Sequence, residues 1–227
     1  MSDEPPRFDP AGLAELPAEL ALGQLPAGRH GLPRSFVTRN QRLRIIAALL
    51  RVLPRHGYAE TTIGDITQEA GVSRAAFYGQ FGDKEECFLK TYDLASNWLC
   101  DRVETALGDV RWPARVRTGV GETLRLLGAN PPLAHLTAIE APQAGPSARK
   151  RQQASLARLA EIMRAGRPER PDLPADLEQF LLGGALSVVA RHVENDRAER
   201  LPEIEAALVE CLLIPFLGPA KSKRIAA

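Results

Sequence analysis

The chain has 227 residues, of which 44% are hydrophobic and 25% charged, and its net charge is +1. This is an ordinary globular composition, and without an apolar run of about 18 residues or an N-terminal signal pattern we expect a cytoplasmic protein rather than a membrane protein. Hydrolase, phosphate-loop, zinc-protease and dinucleotide-binding motifs are missing from the sequence, so an enzyme, a metal site and a bound cofactor are not predicted.

Residues 1–33 form the first predicted segment, a flexible arm. Six prolines and one aromatic residue make this stretch a poor former of helix and of core. The arm enters a window, residues 20–59, that lacks Asp and Glu and contains these arginines: Arg29, Arg34, Arg39, Arg42, Arg44, Arg51 and Arg55. Such a window creates a positive field suited to a polyanion, although a solvated helix face is the other interpretation.

The first predicted helix covers about residues 38–55. Its apolar residues recur at the three- and four-residue spacing of one buried helix face, and they are Leu43, Ile46, Ala47, Leu50 and Leu53. Gly57 is expected to end this helix in the left-handed conformation. The second predicted helix opens at Thr62, with Asp65 as its capping partner, and ends at Gly71.

The third predicted helix covers residues 74–81, and the fourth starts at Asp83. Ser73 can cap the third helix, while Phe77 and Phe81 lie four residues apart on its buried side. Two short helices joined by a glycine-containing turn are typical of a helix-turn-helix.

The stretch RIIAALLRVLPRHGYAETTIGDITQEAGVSRAAFYGQFGDKEECF, residues 44–88, resembles the DNA-binding part of the TetR (tetracycline-repressor-like) family of bacterial transcription regulators. It contains G-Y, T-T-hydrophobic, D-I, A-G-V-S, F-Y, F and K-E in the order and spacing of that family. The resemblance implies an all-α fold with an N-terminal three-helix helix-turn-helix DNA-binding domain and a C-terminal helical ligand-binding and dimerisation domain. We place these at residues 39–99, with the motif at about 62–81, and at residues 100–218, followed by a basic tail at 219–227.

The same resemblance implies phosphate contacts from three residues, Thr62, Tyr78 and Lys84. Hydroxyl and ammonium donors beside a helix N-terminus suit this role, because they fix the register on a duplex without reading its sequence. Capping is a second role for Thr62, and a place in the core is the alternative for Tyr78.

The centre of the third helix carries small residues at positions where the family often has larger or polar ones. Ala75 and Gly79 point at the groove, which leaves Arg74 as the residue predicted to hydrogen-bond a guanine. Gly79 permits either a close backbone approach to DNA or a frayed helix end, and both interpretations stay open. Arg34 and Arg39 are predicted to add contacts to the DNA backbone or to a minor groove.

Five further helices are predicted, at residues 113–129, 132–141, 147–165, 174–195 and 201–217. Candidate effector contacts, for which a core or surface role is the alternative, are Trp98, Trp112, Leu124, Leu127, His135 and Glu140. The three cysteines Cys87, Cys100 and Cys211 are widely spaced and are expected to be buried thiols, with a thiol sensor as the alternative.

The last two predicted helices resemble those through which members of the family dimerise. The first of them is apolar nearly all round, more than a single neighbour can bury. The predicted dimer interface, with an intrachain core as the alternative, consists of Phe180, Gly183, Gly184, Ser187, Leu208, Cys211 and Leu212.

Taken together, the resemblance implies a repressor that binds a palindromic double-stranded DNA operator as a homodimer and is released by a small-molecule effector. Ala75, Ala76 and Gly79 have no polar side chains with which to read DNA. The alternative function is therefore a helical protein-interaction or lipid-binding module with a vestigial DNA-binding head.

Overall fold

The computed structural model describes residues 34–167, 170 and 172–227, and within them every regular element is helical. The chain divides into two compact units, Met1–Thr91 and Tyr92–Ala227. This division falls inside the fourth helix. The domain boundary predicted from the sequence, between residues 99 and 100, falls inside the same helix. The arm and the side chain of Arg34 lie outside the described residues, so their predicted DNA contacts stay predictions.

Between residues 34 and 91 of the first unit four helices begin, and they are α1 (Arg34–Glu60), α2 (Ile63–Ala70), α3 (Arg74–Tyr78) and α4 (Lys84–Ala106). Gly57 interrupts α1 with φ of 72°, as predicted, and one further helical turn follows it. The core of the unit is apolar: Ile45, Leu49 and Leu53 of α1 are almost completely buried with Ile66 of α2.

The third helix is shorter than predicted, because α3 ends at Tyr78 and not at Phe81. Gly79 keeps a right-handed conformation and donates its N–H to the Ala75 carbonyl, while Gln80 and Phe81 both donate to the Phe77 carbonyl. These bonds tighten the chain into a turn at a glycine, a residue with low helix propensity. Phe77 and Phe81 are nevertheless both buried, as their spacing predicts.

The second unit continues from α4 with a bundle of helices, which are α5 (Ala114–Ala129), α6 (Pro131–His135), a π-helix (Leu136–Glu140), α7 (Ala141–Gln143), α8 (Pro146–Arg164), α9 (Leu177–Glu194), a 3₁₀-helix (Ala198–Ile204), α10 (Glu205–Leu217) and α11 (Pro219–Ala226). Val116, Met163, Val209, Leu213 and Phe216 pack together as one buried cluster in it. No helix among the described residues has the length and apolar character needed to cross a membrane.

The π-helix has a local cause in Pro142. The Ala141 N–H donates to the Leu136 carbonyl, five residues back, and in that register the Thr137 carbonyl would need the N–H that Pro142 lacks. The side chain of Gln152 supplies the missing donor, because its Nε2 lies 2.8 Å from the Thr137 carbonyl oxygen. A buried glutamine on α8 therefore stabilises the interrupted helix.

The end of the chain differs from the predicted basic tail. Pro219, at the first position of a helix, starts α11, and Ser222 and Ala226 are buried. Gly218 with φ of 76° separates this helix from α10. The short sequence of α11 carries too few apolar residues to reveal its buried face.

Candidate nucleic-acid interface and internal cavity

The N-terminus of α2 is closed by a reciprocal cap. Thr62 Oγ1 accepts the N–H of Asp65, and the Asp65 carboxylate accepts both the N–H and the hydroxyl of Thr62 at 2.8 and 2.7 Å. The hydrogen bonds from Thr62 lower the pKa of Asp65. The predicted capping role of Thr62 is confirmed. The N–H groups of the first two helical residues, Ile63 and Gly64, have no intrahelical acceptor and are available to an anion.

The outward side of α3 carries the residues predicted to face DNA. Arg74, Ala75 and Gly79 are exposed. Tyr78 is 55% exposed, and its ring makes a T-shaped contact with the buried ring of Phe77, with centroids 5.6 Å apart. Tyr78 is therefore not a core residue. An exposed aromatic side chain with a hydroxyl at its tip can reach a partner without disturbing the fold.

Arg74 lies next to the N-terminus of α2. A methyl group at position 64 would lie 3.2 Å from Thr62 Oγ1 and 3.5 Å from Arg74 Nη2, so the guanidinium and the capping hydroxyl share the space over Gly64. The structure thus brings together Thr62, which was predicted to contact a phosphate, and Arg74, which was predicted to contact a base. From this position Arg74 has either a base edge or a phosphate oxygen as its possible acceptor.

Lys84 is engaged within its own unit. Its ammonium lies 2.8, 3.2 and 2.8 Å from the carbonyl oxygens of Tyr58, Ala59 and Thr61, and 4.5 Å from the centroid of the Tyr58 ring. An ammonium has three N–H donors, so these bonds use all of them. Lys84 holds the end of α1 against the start of α4, a role that sequence reasoning missed. Its predicted phosphate contact requires one of these bonds to be exchanged and stays a prediction.

Four arginines of the acid-free window also brace the domain. Arg44 donates to the carbonyls of Ala70 and Gly71 at the end of α2, and the Arg42 guanidinium lies 5.0 Å from the centroid of the Phe81 ring. The others, Arg51 and Arg55, share the carboxylate of Glu69 at 2.6 and 3.1 Å. Since Glu69 lies outside the window in sequence but next to it in space, the positive field is smaller than the sequence predicts. Arg39 is exposed.

The comparisons with known proteins agree with this geometry. Residues 45–91 match the family model described as bacterial regulatory proteins, tetR family. The HTH-type transcriptional regulator BetI of Agrobacterium fabrum is 26% identical over 183 residues, which cover 81% of this chain and 80% of BetI.

Residues 45–91 carry the DNA-binding domain of the TetR family. The chain is a DNA-binding transcriptional regulator with a helix-turn-helix, as the sequence predicts.

Two solved structures have a similar fold over about three quarters of this chain. The fatty acid degradation regulator FadR from Bacillus halodurans has a TM-score of 0.69 at 21% identity, covering 76% of this chain and 94% of its own. FadR from Bacillus subtilis, whose structure is a complex with stearoyl-CoA, has a TM-score of 0.66 at 20% identity, covering 78% and 98%. The all-α fold extends in both cases beyond the DNA-binding helices.

Replacing the exposed hydroxyl of this TetR-type domain gives the first test. We expect Tyr78→Phe to weaken DNA binding by about 1–2 kcal/mol and to do so evenly across sequences, because a hydroxyl on a phosphate carries no base information. Thermal stability should stay unchanged, since the ring remains. Fluorescence anisotropy with matched and mismatched duplexes measures both effects. Tyr92→Phe, which removes a hydroxyl from the second unit, is the control and should bind DNA normally.

The second unit of the chain contains a cavity of about 130 Å³. Its walls come from α4, α5, the π-helix, α8, α9 and α10, and most of the lining side chains are aliphatic. Leu124 and Leu127, two of the six predicted effector contacts, line it, and their contact with an effector stays a prediction. The residues that line the cavity come from several helices and are spread over more than a hundred positions of sequence. Because sequence periodicity does not show which helices meet, most of the lining could not be predicted.

The other four predicted effector contacts do not line this cavity. Trp112 packs against Phe216, with ring centroids 5.4 Å apart, and Trp98 is buried in the second unit. His135 Nδ1 lies 3.4 Å from Glu140 Oε1, and burial lowers the pKa of His135. These four side chains belong to the surrounding core, which is the alternative that the sequence left open.

The surface of α9 and α10 contains an apolar face that is open in the single chain. Phe180 is 77% exposed, Ile214 is 38% exposed, and Gly183, Gly184, Ser187 and Cys211 are exposed with them. The exposure of Cys211 contradicts the predicted burial of all three thiols. Leu212 and Leu208 face inward instead: Leu212 is buried in the core of its own chain, and both line the cavity. They are therefore not part of the exposed face predicted for dimerisation.

Proposed function

We propose that the chain is a repressor that binds a palindromic operator as a homodimer and leaves it when a small apolar molecule occupies the cavity. The observation that carries this proposal is the pairing of two features in one TetR-family chain. One is the exposed α3 surface of the DNA-binding unit, and the other is the largely aliphatic cavity of the second unit.

The homodimer is supported by the exposed face of α9 and α10. A side chain as large and apolar as Phe180 gains free energy when a partner removes it from water. Gly183 and Gly184 carry no side chain, and a methyl group at either position would meet no described atom within 4 Å, so another helix has room to approach closely. Two copies of the same face form a closed, twofold-symmetric contact.

The palindromic operator follows from that symmetry. Two recognition helices related by a twofold axis reach successive major grooves when they are held about 34 Å apart. The site that they read is then an inverted repeat, with Arg74 of each copy in an equivalent place.

The effector is supported by the cavity and by what a structural relative holds. The Bacillus subtilis FadR structure contains stearoyl-CoA, a molecule with a long apolar chain. A ligand shifts the dimer between two shapes only by as much as its affinities for them differ. A ligand that fills the aliphatic cavity binds more tightly to the dimer shape in which the surrounding helices close around it, and it therefore stabilises that shape.

A reporter assay tests the direction of regulation. The DNA upstream of the gene that encodes the chain is placed before a reporter, and expression is measured with and without the chain. Repression predicts lower expression when the chain is present and no decrease with the Arg74→Ala variant. Equal expression, or an increase, would contradict the repressor assignment.

A further inference from the structure

We propose that the cavity of the second unit takes an uncharged aliphatic molecule of about six carbons, with one hydrogen-bonding head held at its Gln152 end. This inference rests on the proposed function, because it names the chemistry of the effector. The shape, the polarity and the charge of the lining each contribute a separate observation.

The cavity is long because two helices line it over several turns. On α4 the lining residues run from Tyr92 to Val103, and on α8 they run from Gln152 to Met163. At 1.5 Å per residue each row spans about 16 Å. An elongated space between helices suits a chain better than a compact ring system.

The two rows run in the same direction. Arg151 pairs with Asp93 near one end, and Arg158 pairs with Asp101 and Glu104 farther along both helices. The start of the α4 row therefore lies beside the start of the α8 row. Polar side chains on both starts belong to one end of the cavity.

That end is where most of the polar groups meet. The Tyr92 hydroxyl lies 3.5 Å from Ser155 Oγ, and Gln152 Nε2 donates to the Thr137 carbonyl. Ser96, one turn after Tyr92 on α4, lines the same part of the wall. Val103, Ile162 and Met163 line the opposite end of the two rows. Thr123 is a further hydroxyl in the lining, and it donates to the Gly119 carbonyl of its own helix at 2.7 Å.

Gln152 is the best head-group partner at this end. Its side chain is buried, and the bond to Thr137 uses one of its amide N–H donors. A glutamine amide has a second N–H and a carbonyl oxygen, so the same residue can both donate to and accept from a ligand. An alcohol matches this pair of groups.

The lining has no ionic partner for a charged head. Among the described residues that line the cavity there is no Asp, Glu, Lys, Arg or His. Burial raises the pKa of Cys100 to about 11 and that of Tyr92 to about 12, so both are neutral at physiological pH. A carboxylate placed here would lose its hydration without gaining a cation, which is strongly unfavourable.

The volume sets the length of the chain. An engineered apolar cavity of about 150 Å³ binds benzene, a molecule of about six carbons. At about 130 Å³ this cavity accommodates a molecule of similar size. A saturated chain of about six carbons therefore fills the space without moving the walls.

Calorimetric titration of the full chain with 1-hexanol, sodium hexanoate and 1-decanol tests this inference. We expect 1-hexanol to bind about tenfold or more tightly than either of the others. Gln152→Leu should reduce hexanol affinity about tenfold, because it removes the amide and keeps an apolar side chain. Gln153→Leu is the matched control, since Gln153 is the exposed neighbour on α8, and it should bind hexanol normally.

The outcomes separate the ligand class from the regulatory role. Hexanoate binding as tightly as hexanol would overturn the uncharged head, and decanol binding more tightly than hexanol would overturn the size. Equal loss in both glutamine variants would overturn the role of Gln152. If hexanol binds as expected but a gel shift shows no release of DNA, the ligand class stands and the release step of the proposed function fails.

Discussion

Arg74→Ala is expected to relax one position in each half of the bound DNA site and to lower affinity for that site by about 1–3 kcal/mol, roughly 5- to 150-fold. Arg74 is exposed on α3, and Ala75 and Gly79 on the same side of the helix have no hydrogen-bonding side chain. The guanidinium is therefore the main polar group of α3 that can read a base edge. Competition binding with single-base variants of the site measures the change position by position.

The position of Arg74 over the N-terminus of α2 creates a sharp test of this role. If the guanidinium contacts a phosphate instead, Arg74→Ala will weaken binding evenly, and Arg74→Lys will restore most of the affinity. If it reads a guanine, lysine will restore little discrimination, because it lacks the planar fork that matches guanine O6 and N7. Arg149→Ala, at an exposed arginine of α8, controls for the loss of one positive charge.

Gly184→Arg is expected to separate the dimer and to lower operator affinity about 100-fold or more. We expect the single chain to tolerate the change, because Gly184 is exposed and a Cβ atom added there would meet no described atom within 4 Å. In the dimer, the arginine would be placed against its own copy across the twofold axis, where an unpaired charge is strongly unfavourable. A monomer holds only one half-site, and the affinity gained by linking two half-sites is lost.

Sedimentation velocity measures the oligomeric state of the variant, and thermal denaturation checks that each chain is still folded. The variant should sediment as a monomer at a concentration at which the wild type is dimeric, with helical content unchanged. Ala154→Arg adds the same charge at an exposed position of α8 and should remain dimeric. A Gly184→Arg variant that stays dimeric and binds DNA normally would remove α9 from the dimer interface.

The local features of the DNA-binding unit could be predicted because they depend on neighbouring residues. The Thr62–Asp65 cap, the left-handed Gly57 and the buried Phe77 are all encoded within a few positions of sequence. The role of Lys84 could not be predicted in this way. Its three carbonyl partners lie 23–26 positions earlier and come together only when α1 packs beside the start of α4.

The second unit shows the same limit more strongly. Periodicity predicts the existence of its long helices, but not which of their faces surround a cavity. Gln152 illustrates why, since its burial depends on a carbonyl freed by Pro142 in another helix. The aromatic side chain of Trp112 suggests an effector contact, but it packs against Phe216, more than a hundred positions away in sequence.

Selection of bound sites from random duplex DNA with the full chain is the most direct test of the central claim. We predict one enriched sequence that is an inverted repeat, with half-site centres about 10 base pairs apart, as two recognition helices on one face of the duplex require. Enrichment of no sequence would contradict specific DNA reading by α3. An enriched sequence without twofold symmetry would contradict the homodimer as the DNA-binding form.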